Sequence, residues 1–261
     1  VIAVTLLRAI EQFPRFGRLG DTIATVEKAT TASLLRRAAD PALGCMPWQG
    51  QVPTGMDVAI DAATIGYVEF VDLQALSALA EAHGFHACVV APPGTLAAPG
   101  RPLLLLDKAV DQDVRDAIAA AYAVAGSRSI HDDPRYGLVV LTEVAVRAGS
   151  AAINDPGTAI DIIGTVTRVL ATWATAVKDA SPAAPRYPRL RFPVISEAQM
   201  YSDVFPLIAR DNAGIVAAAT HNAQRALQRA MEKLDFSDDR QLLADAASQC
   251  NNVHPDPGTT V

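Results

Sequence analysis

The chain predicts an α+β fold, mostly helical, with a small β-rich, hairpin-containing unit near residues 50–107. Three observations carry this expectation. From residue 58 to residue 107 the apolar residues leave helical spacing and fall into short runs cut by turns. After Asp107 they return to spacings of three and four almost without a break. Half of the 261 residues are apolar but only 5% are aromatic, so the core rests on Ala, Val, Leu and Ile, which suits closely packed helices. The expected organisation is N-terminal helices over 1–49, the β-rich unit over 50–107, a helical unit over 108–250 and a disordered tail over 251–261.

The first dozen positions crowd Val1, Ile2, Val4, Leu6, Leu7 and Ile10 without the basic flank of a signal peptide. A chain that starts at Val1 rather than Met reads as an excised fragment or a processed end. Asp21 caps a helix holding Ile23, Val26, Leu34 and Leu35, which stops before Asp40 and Pro41. Residues 44–55 are turn-rich around Trp48 and suit a loop or an entry into a sheet. Residues 58–60 and 66–71 read as strands, and 73–83 as a short helix closed by Gly84. Strands follow over 85–90 and 103–106, with Pro92, Pro93 and Gly94 turning between them.

The helical remainder starts with an Ala-rich helix over 110–125, ending at Gly126. Leu138, Leu141, Val144, Ala145 and Ala148 then share one face of a second helix, with Glu143 and Arg147 spaced as an i, i+4 pair on the other. The cleanest helix covers 156–177, with Ile160, Ile163, Val166, Leu170, Trp173 and Val177 inward. Residues 180–193 hold four prolines among Arg186, Arg189 and Arg191, which excludes helix interior. A linker or an edge strand over 190–195 fits, and so does a solvated loop. Helices are expected over 197–210, 215–234 and 238–250. In the second of these, Ala219, Ala223 and Ala230 form a small-residue face, with Gln224, Arg225 and Gln228 in water. No internal repeat is visible.

The net charge of −6 argues against a nucleic-acid binder, whose affinity comes mainly from a basic face. Cys45, Cys88 and Cys250 fit neither a disulfide framework nor a zinc site. A reducing compartment is the simpler reading, with a single bridge left open. No unbroken apolar run approaches the ~20 residues of a membrane helix, so this stretch is expected to be soluble by itself.

The most specific residues lie between Asp132 and Ala159. Asp133 before Pro134, and Asp155 before Pro156, are two helix starts in succession, each with proline at the first helical position. Free N–H groups at such starts attract anions. Arg128, Arg135 and Arg147 supply positive charge, and Asn154, Asp155 and Thr158 stand at the second start. These six form the candidate site for a small anion, a phosphate group or a carboxylate. The competing reading is structural: Asp133 and Asp155 fill those donors, Arg147 pairs with Glu143 or Asp155, and the motif fixes a bend between two helices. His83 and His86 are separated by the helix-breaking Gly84. His131 beside Asp132 and Asp133 lacks a fourth ligand, so neither metal nor cofactor is expected. No Gly-x-Ser-x-Gly elbow, phosphate-binding glycine loop or His-Glu-x-x-His motif is present.

Two resemblances add to this. The segment from Pro93, Gly94, Thr95 and Leu96 to Gly100, Arg101, Pro102 and Leu103 resembles the tight hairpin of lipoyl, biotinyl and membrane-adaptor barrel-sandwich domains. It has no Met-Lys pair at a tip, so a carrier function does not transfer, and an unrelated hairpin is an equal reading. More broadly, Pro134, Arg135, Tyr136, Gly137 and Leu138, then Arg147, Ala148, Gly149 and Ser150, then Ile153 to Ala159, resemble a family of predicted bacterial membrane proteins. Its signature is close to D-P-x-F-G-L followed by A-L-S-P-G-I-N-D-P-x-T-A. Gly66, Tyr67 and Val68, the helix around Leu76 to Ala80, and Pro93 with Gly94 also match its pattern. Gly149, Ser150, Ala151 and Ala152 depart from its Ser-Pro-Gly turn.

The resemblance implies membrane-spanning helices ahead of this region, with Val1 at the exit of the last one and this part on the cytoplasmic side. It brings no assigned activity. The expected role is therefore a regulatory or assembly domain of a membrane protein, self-associating and sensing an anion. The alternative is a membrane-associated enzyme working around Arg135, Asn154 and Asp155, for which Glu143, Asp155 and a histidine must share a deep pocket.

Overall fold

The structure, a computed structural model, describes residues 19–180, 183–211 and 215–233. Its first half runs α1 (Leu19–Ala39), β1 (Cys45–Trp48), β2 (Val58–Asp61), β3 (Gly66–Val71), α2 (Leu73–His83), β4 (Ala87–Val89), β5 (Leu96–Ala97) and β6 (Pro102–Leu106). Then follow α3 (Gln112–Ala120), β7 (Tyr122–Ala125), α4 (Pro134–Gly149), α5 (Pro156–Asp179), β8 (Tyr187–Pro193), α6 (Glu197–Ser202), α7 (Phe205–Asp211) and α8 (Ile215–Lys233). The fold is α+β, as expected. The apolar opening, the helix expected over 238–250 and the tail over 251–261 lie outside the described residues.

The strands form two sheets, ordered β1-β8-β4-β6-β2 and β5-β3-β7, and neither closes a barrel. The hairpin expected after Pro93 is not formed. Gly94, at φ 91°, turns the chain so that its N–H reaches Val68 O at 2.8 Å, and Thr95 O accepts from Val68 N at 2.9 Å. This delivers β5 to β3, whereas β6 pairs with β2 and β4 in the other sheet. The larger sheet also takes β1 and β8 from outside residues 50–107.

The Pro-rich segment is neither a linker nor an edge. Its strand β8 runs parallel between β1 and β4, with Leu190 and Phe192 fully buried. A proline lacks the N–H that an interior strand must donate on one side or the other. The register with β1 steps from Cys45 opposite Tyr187 to Met46 opposite Arg191, so Pro188 falls in a bulge where no pairing is required. Pro193 closes the strand opposite Trp48.

Three further corrections have local causes. The helix expected over 110–125 stops at Ala120, because Tyr122–Ala125 pairs antiparallel with β3 and alanine's helix propensity yields to that ladder. The helix expected over 197–210 is two helices, because Pro206 has no N–H to donate to the carbonyl one turn back and the chain opens at Asp203 and Val204. Gln224, expected in water, is 3% exposed on α8. Cys45 and Cys88 are buried free thiols, pushed by desolvation to about 12 and about 11.

Two apolar clusters result. One joins α1, α4, α5, α7 and α8 through Leu34, Leu138, Ile162, Val166, Phe205 and Leu227. The other fills the sheets and α2 with Leu76, Phe85, Leu104, Leu106, Leu190 and Phe192. Ala219 and Ala223 pack within the chain against the first cluster. Helix α5 has the length and mean hydropathy, 1.3, to cross a membrane, yet here it is the central helix of that cluster.

Helix α1 packs closely on α4 at Gly137. A Cβ on Gly137 would land on the Thr30 hydroxyl and stand 2.8 Å from Thr30 Cβ, and Thr30 is fully buried and branched, so it has no room to turn away. Gly137→Ala is therefore expected to lower the unfolding free energy by about 1–3 kcal/mol. Urea denaturation checks this, and an unchanged midpoint would refute the tight contact.

Candidate functional site

Both proline-initiated helices form as expected, from Pro134 and from Pro156. Their starts do not meet. Asp155 N donates to Ala148 O at 2.8 Å, which sets the start of α5 against the end of α4. The sixteen residues of α4, rising about 1.5 Å per step, separate that end from Pro134 by roughly 22 Å. The six predicted residues are divided accordingly, with Arg128 and Arg135 at one end of α4 and Arg147, Asn154, Asp155 and Thr158 at the other.

The second group makes a helix cap. The Asp155 carboxylate accepts from Thr158 N at 3.1 Å and from the Thr158 hydroxyl at 2.6 Å. These bonds hold its pKa below the ordinary carboxylate value. Asn154 takes the left-handed conformation, φ 50°, that asparagine tolerates better than most residues, and its N–H donates to Ser150 O. Arg147 is exposed, without an ion pair among the described residues. Glu143 and Asp155 are likewise exposed, so the acids required by an enzymatic site do not converge in a pocket.

The first group opens onto a cavity of about 330 Å³ between the helical cluster and the sheets. Its walls are Arg37 from α1, the turn from Pro92 to Thr95, Arg128, the start of α4, the residues after β8, and Gln199 from α6. Arg128 Nε donates to Asp133 Oδ2 at 2.7 Å and its guanidinium lies 4.7 Å above the Tyr136 ring. Arg135 grips Asp203 through Nε and a terminal nitrogen at 2.6 and 2.7 Å, which raises its pKa. Asp133, the N-cap residue, makes no side-chain cap on α4 because its carboxylate is turned to Arg128. Gly94 leaves room for that turn, since a Cβ there would fall on the Asp133 carboxylate. Asp132 points elsewhere, to His131 Nδ1 at 3.0 Å, and no group of three or more His, Cys, Asp or Glu suited to a metal is found among the described residues.

Arg37 was not among the predicted residues. It is 7% exposed and packs its guanidinium 5.1 Å from the centre of the Phe192 ring. Among the described residues it has no hydrogen-bond or ion-pair partner. Burial lowers its pKa to about 10, against the pull of Asp133, Asp40 and Asp132. The signal for it was present in the sequence. Thr30, Ser33, Leu34, Arg37 and Ala38 follow the i, i+3, i+4, i+7, i+8 pattern of a buried helix face, so an arginine stood on an apolar stripe.

A second cavity of about 170 Å³ adjoins the first, sharing Arg37, Pro93 and Pro134 as a common wall. It is lined mainly by apolar side chains, among them Leu43, Phe70, Val71 and Phe192. On its rim, Ser33 Oγ and a terminal nitrogen of Arg36 donate to His131 O at 2.9 and 3.1 Å.

Among known proteins, the profile of a family described as "Predicted membrane protein (DUF2254)" matches residues 1–229. No curated protein and no solved structure matches the chain.

Asp133 provides a test of the charge arrangement at this cavity. Desolvation raises its pKa above the ordinary 3.8, with Arg128 acting in opposition. The folded chain therefore holds this proton to higher pH than the unfolded chain. Stability from that proton is complete below 3.8 and is lost as pH rises through the folded value. The stability of the wild type relative to Asp133→Asn should accordingly fall as pH rises above 3.8 in urea titrations. A difference that grows with pH would overturn the assignment.

Proposed function

The chain belongs to the family described as Predicted membrane protein (DUF2254), and from that premise we propose that residues 19–233 are the extramembranous regulatory part of a membrane protein, controlled by a small anion bound in the cavity at Arg37. One observation carries the reading: a buried guanidinium without an acceptor faces a cavity whose other two arginines are held in place by aspartates. Burial of this charge is offset only through space, by Asp133, Asp40 and Asp132, so a direct pair from a bound anion would be favourable there. The start of α4, whose dipole favours negative charge, opens onto the same space.

The seam position supports regulation. Arg37 comes from the helical cluster, Pro92 to Thr95 from the sheet side and Gln199 from α6, so an anion held by these groups bridges the two halves. The free thiols of Cys45 and Cys88 agree with placement on the cytoplasmic face.

Isothermal titration of the chain with sodium acetate and with inorganic phosphate should give saturable heat for at least one of them. Arg37→Met should abolish that heat, and Arg147→Ala should leave it unchanged. With no anion present, Arg37→Met should unfold at a higher temperature, by the equivalent of about 1–3 kcal/mol, because methionine fills the same space without a charge. Heat from neither anion, or equal heat from wild type and Arg37→Met, would overturn the reading.

A further inference from the structure

The anion reading leaves the ligand's chemistry open, and the two cavities together narrow it. We infer that the ligand is a monocarboxylate bearing one compact apolar group of about the size of a phenyl ring, with its carboxylate against Arg37 in the larger cavity and its apolar part in the smaller one. This rests on the anion site proposed above.

Charge counting gives the first half. Three arginines line the larger cavity. Arg128 is paired with Asp133, and Arg135 is paired through two bonds with Asp203. Of the three, Arg37 alone lacks a hydrogen-bonded counter-charge among the described residues, and Asp133, Asp40 and Asp132 already act on it through space, so the site has room for no more than one further negative charge. A dianion such as a phosphomonoester would leave a surplus negative charge beside the buried Asp133. The flat, two-oxygen carboxylate also suits the fork of a single guanidinium.

The second cavity gives the other half. An apolar cavity of about 150 Å³ accepts benzene, and this one measures about 170 Å³. Its wall includes Phe70, which is 51% exposed, a large aromatic side chain left half in water. Strand β3 shifts register between Val68 and Phe70, and such a bulge re-aims the side chains that follow it. The acid on this rim, Asp132, is engaged with His131. A ring seated here would lie against Phe70 and Leu43 and remain joined to a carboxylate across their common wall at Arg37.

The test is isothermal titration of the full chain with acetate, phenylacetate, decanoate, phenyl phosphate and inorganic phosphate. Phenylacetate should bind about tenfold or more tighter than acetate, reflecting burial of the ring. It should also bind tighter than phenyl phosphate, and decanoate should gain nothing over phenylacetate. Phe70→Ser should bring phenylacetate down to the affinity of acetate while acetate stays unchanged. Should that variant fail to fold, the comparison of ligands on the wild type decides alone.

Equal affinity for acetate and phenylacetate would overturn the apolar subsite and leave the anion site standing. Tighter binding of either phosphate would overturn the monocarboxylate, and tighter binding of decanoate would overturn the compact group. Absence of heat from all five would remove the anion site itself.

Discussion

The arrangement depends on strand β8 being paired on both edges. After α5 the chain leaves the helical cluster and enters the sheet between β1 and β4, so its backbone groups are satisfied from two sides. An unpaired strand at that place would bury N–H and C=O groups without partners, which costs more than most single side-chain contacts contribute. Strand β1 reaches the same sheet from α1. The two connections are tied where Tyr187 N donates to Gly44 O at 2.8 Å and Arg186 pairs with Asp40 at 2.8 Å. Two helices thus each feed a strand to one sheet, and main-chain hydrogen bonds between those two strands tie the connections together.

That constraint creates the seam and what lies in it. Phe192, fixed by the sheet, provides the aromatic face on which Arg37 of α1 rests. The end of β8 and the turn at Gly94 form the floor, and the start of α4 forms the opposite wall. Each ionic contact there has a defined geometry: Arg128 on Asp133, Arg135 on Asp203. Arg37 is held by packing rather than by a hydrogen-bonded carboxylate, and burial lowers its pKa although Asp133, Asp40 and Asp132 act on it through space. Natural folds carry such costs mainly at functional sites.

The helical half shows how apolar content and membrane insertion separate. Helix α5 is apolar enough to span a bilayer, yet its Thr165, Thr167, Thr172 and Thr175 hydroxyls bond back to carbonyls four residues earlier, and its Arg168 pairs with Glu27. Its apolar stripe from Ile162 to Trp173 is covered by neighbouring helices. Membership of a membrane-protein family therefore does not require this helix to be a span.

Local patterns in the sequence determined most elements. The i, i+3, i+4 stripes of α4, α5 and α8, the Asp–Pro starts at Pro134 and Pro156, and the Asp72 cap with Gly84 for α2 are short-range features that the chain carries by itself. Where elements met their partners, only the tertiary structure decided. Tyr122–Ala125 became a strand because β3 offered a ladder, β8 became central because a bulge absorbed Pro188, and the paired helix starts parted because α4 and α5 pack as a hairpin. Arg128 and Arg135, legible from their place beside the first start, line the larger cavity, but the third arginine there lies about ninety positions earlier. The physical reason is range: caps, turns and helical periodicity act over a few residues, whereas sheet pairing and burial of Arg37 against Phe192 join positions more than a hundred residues apart.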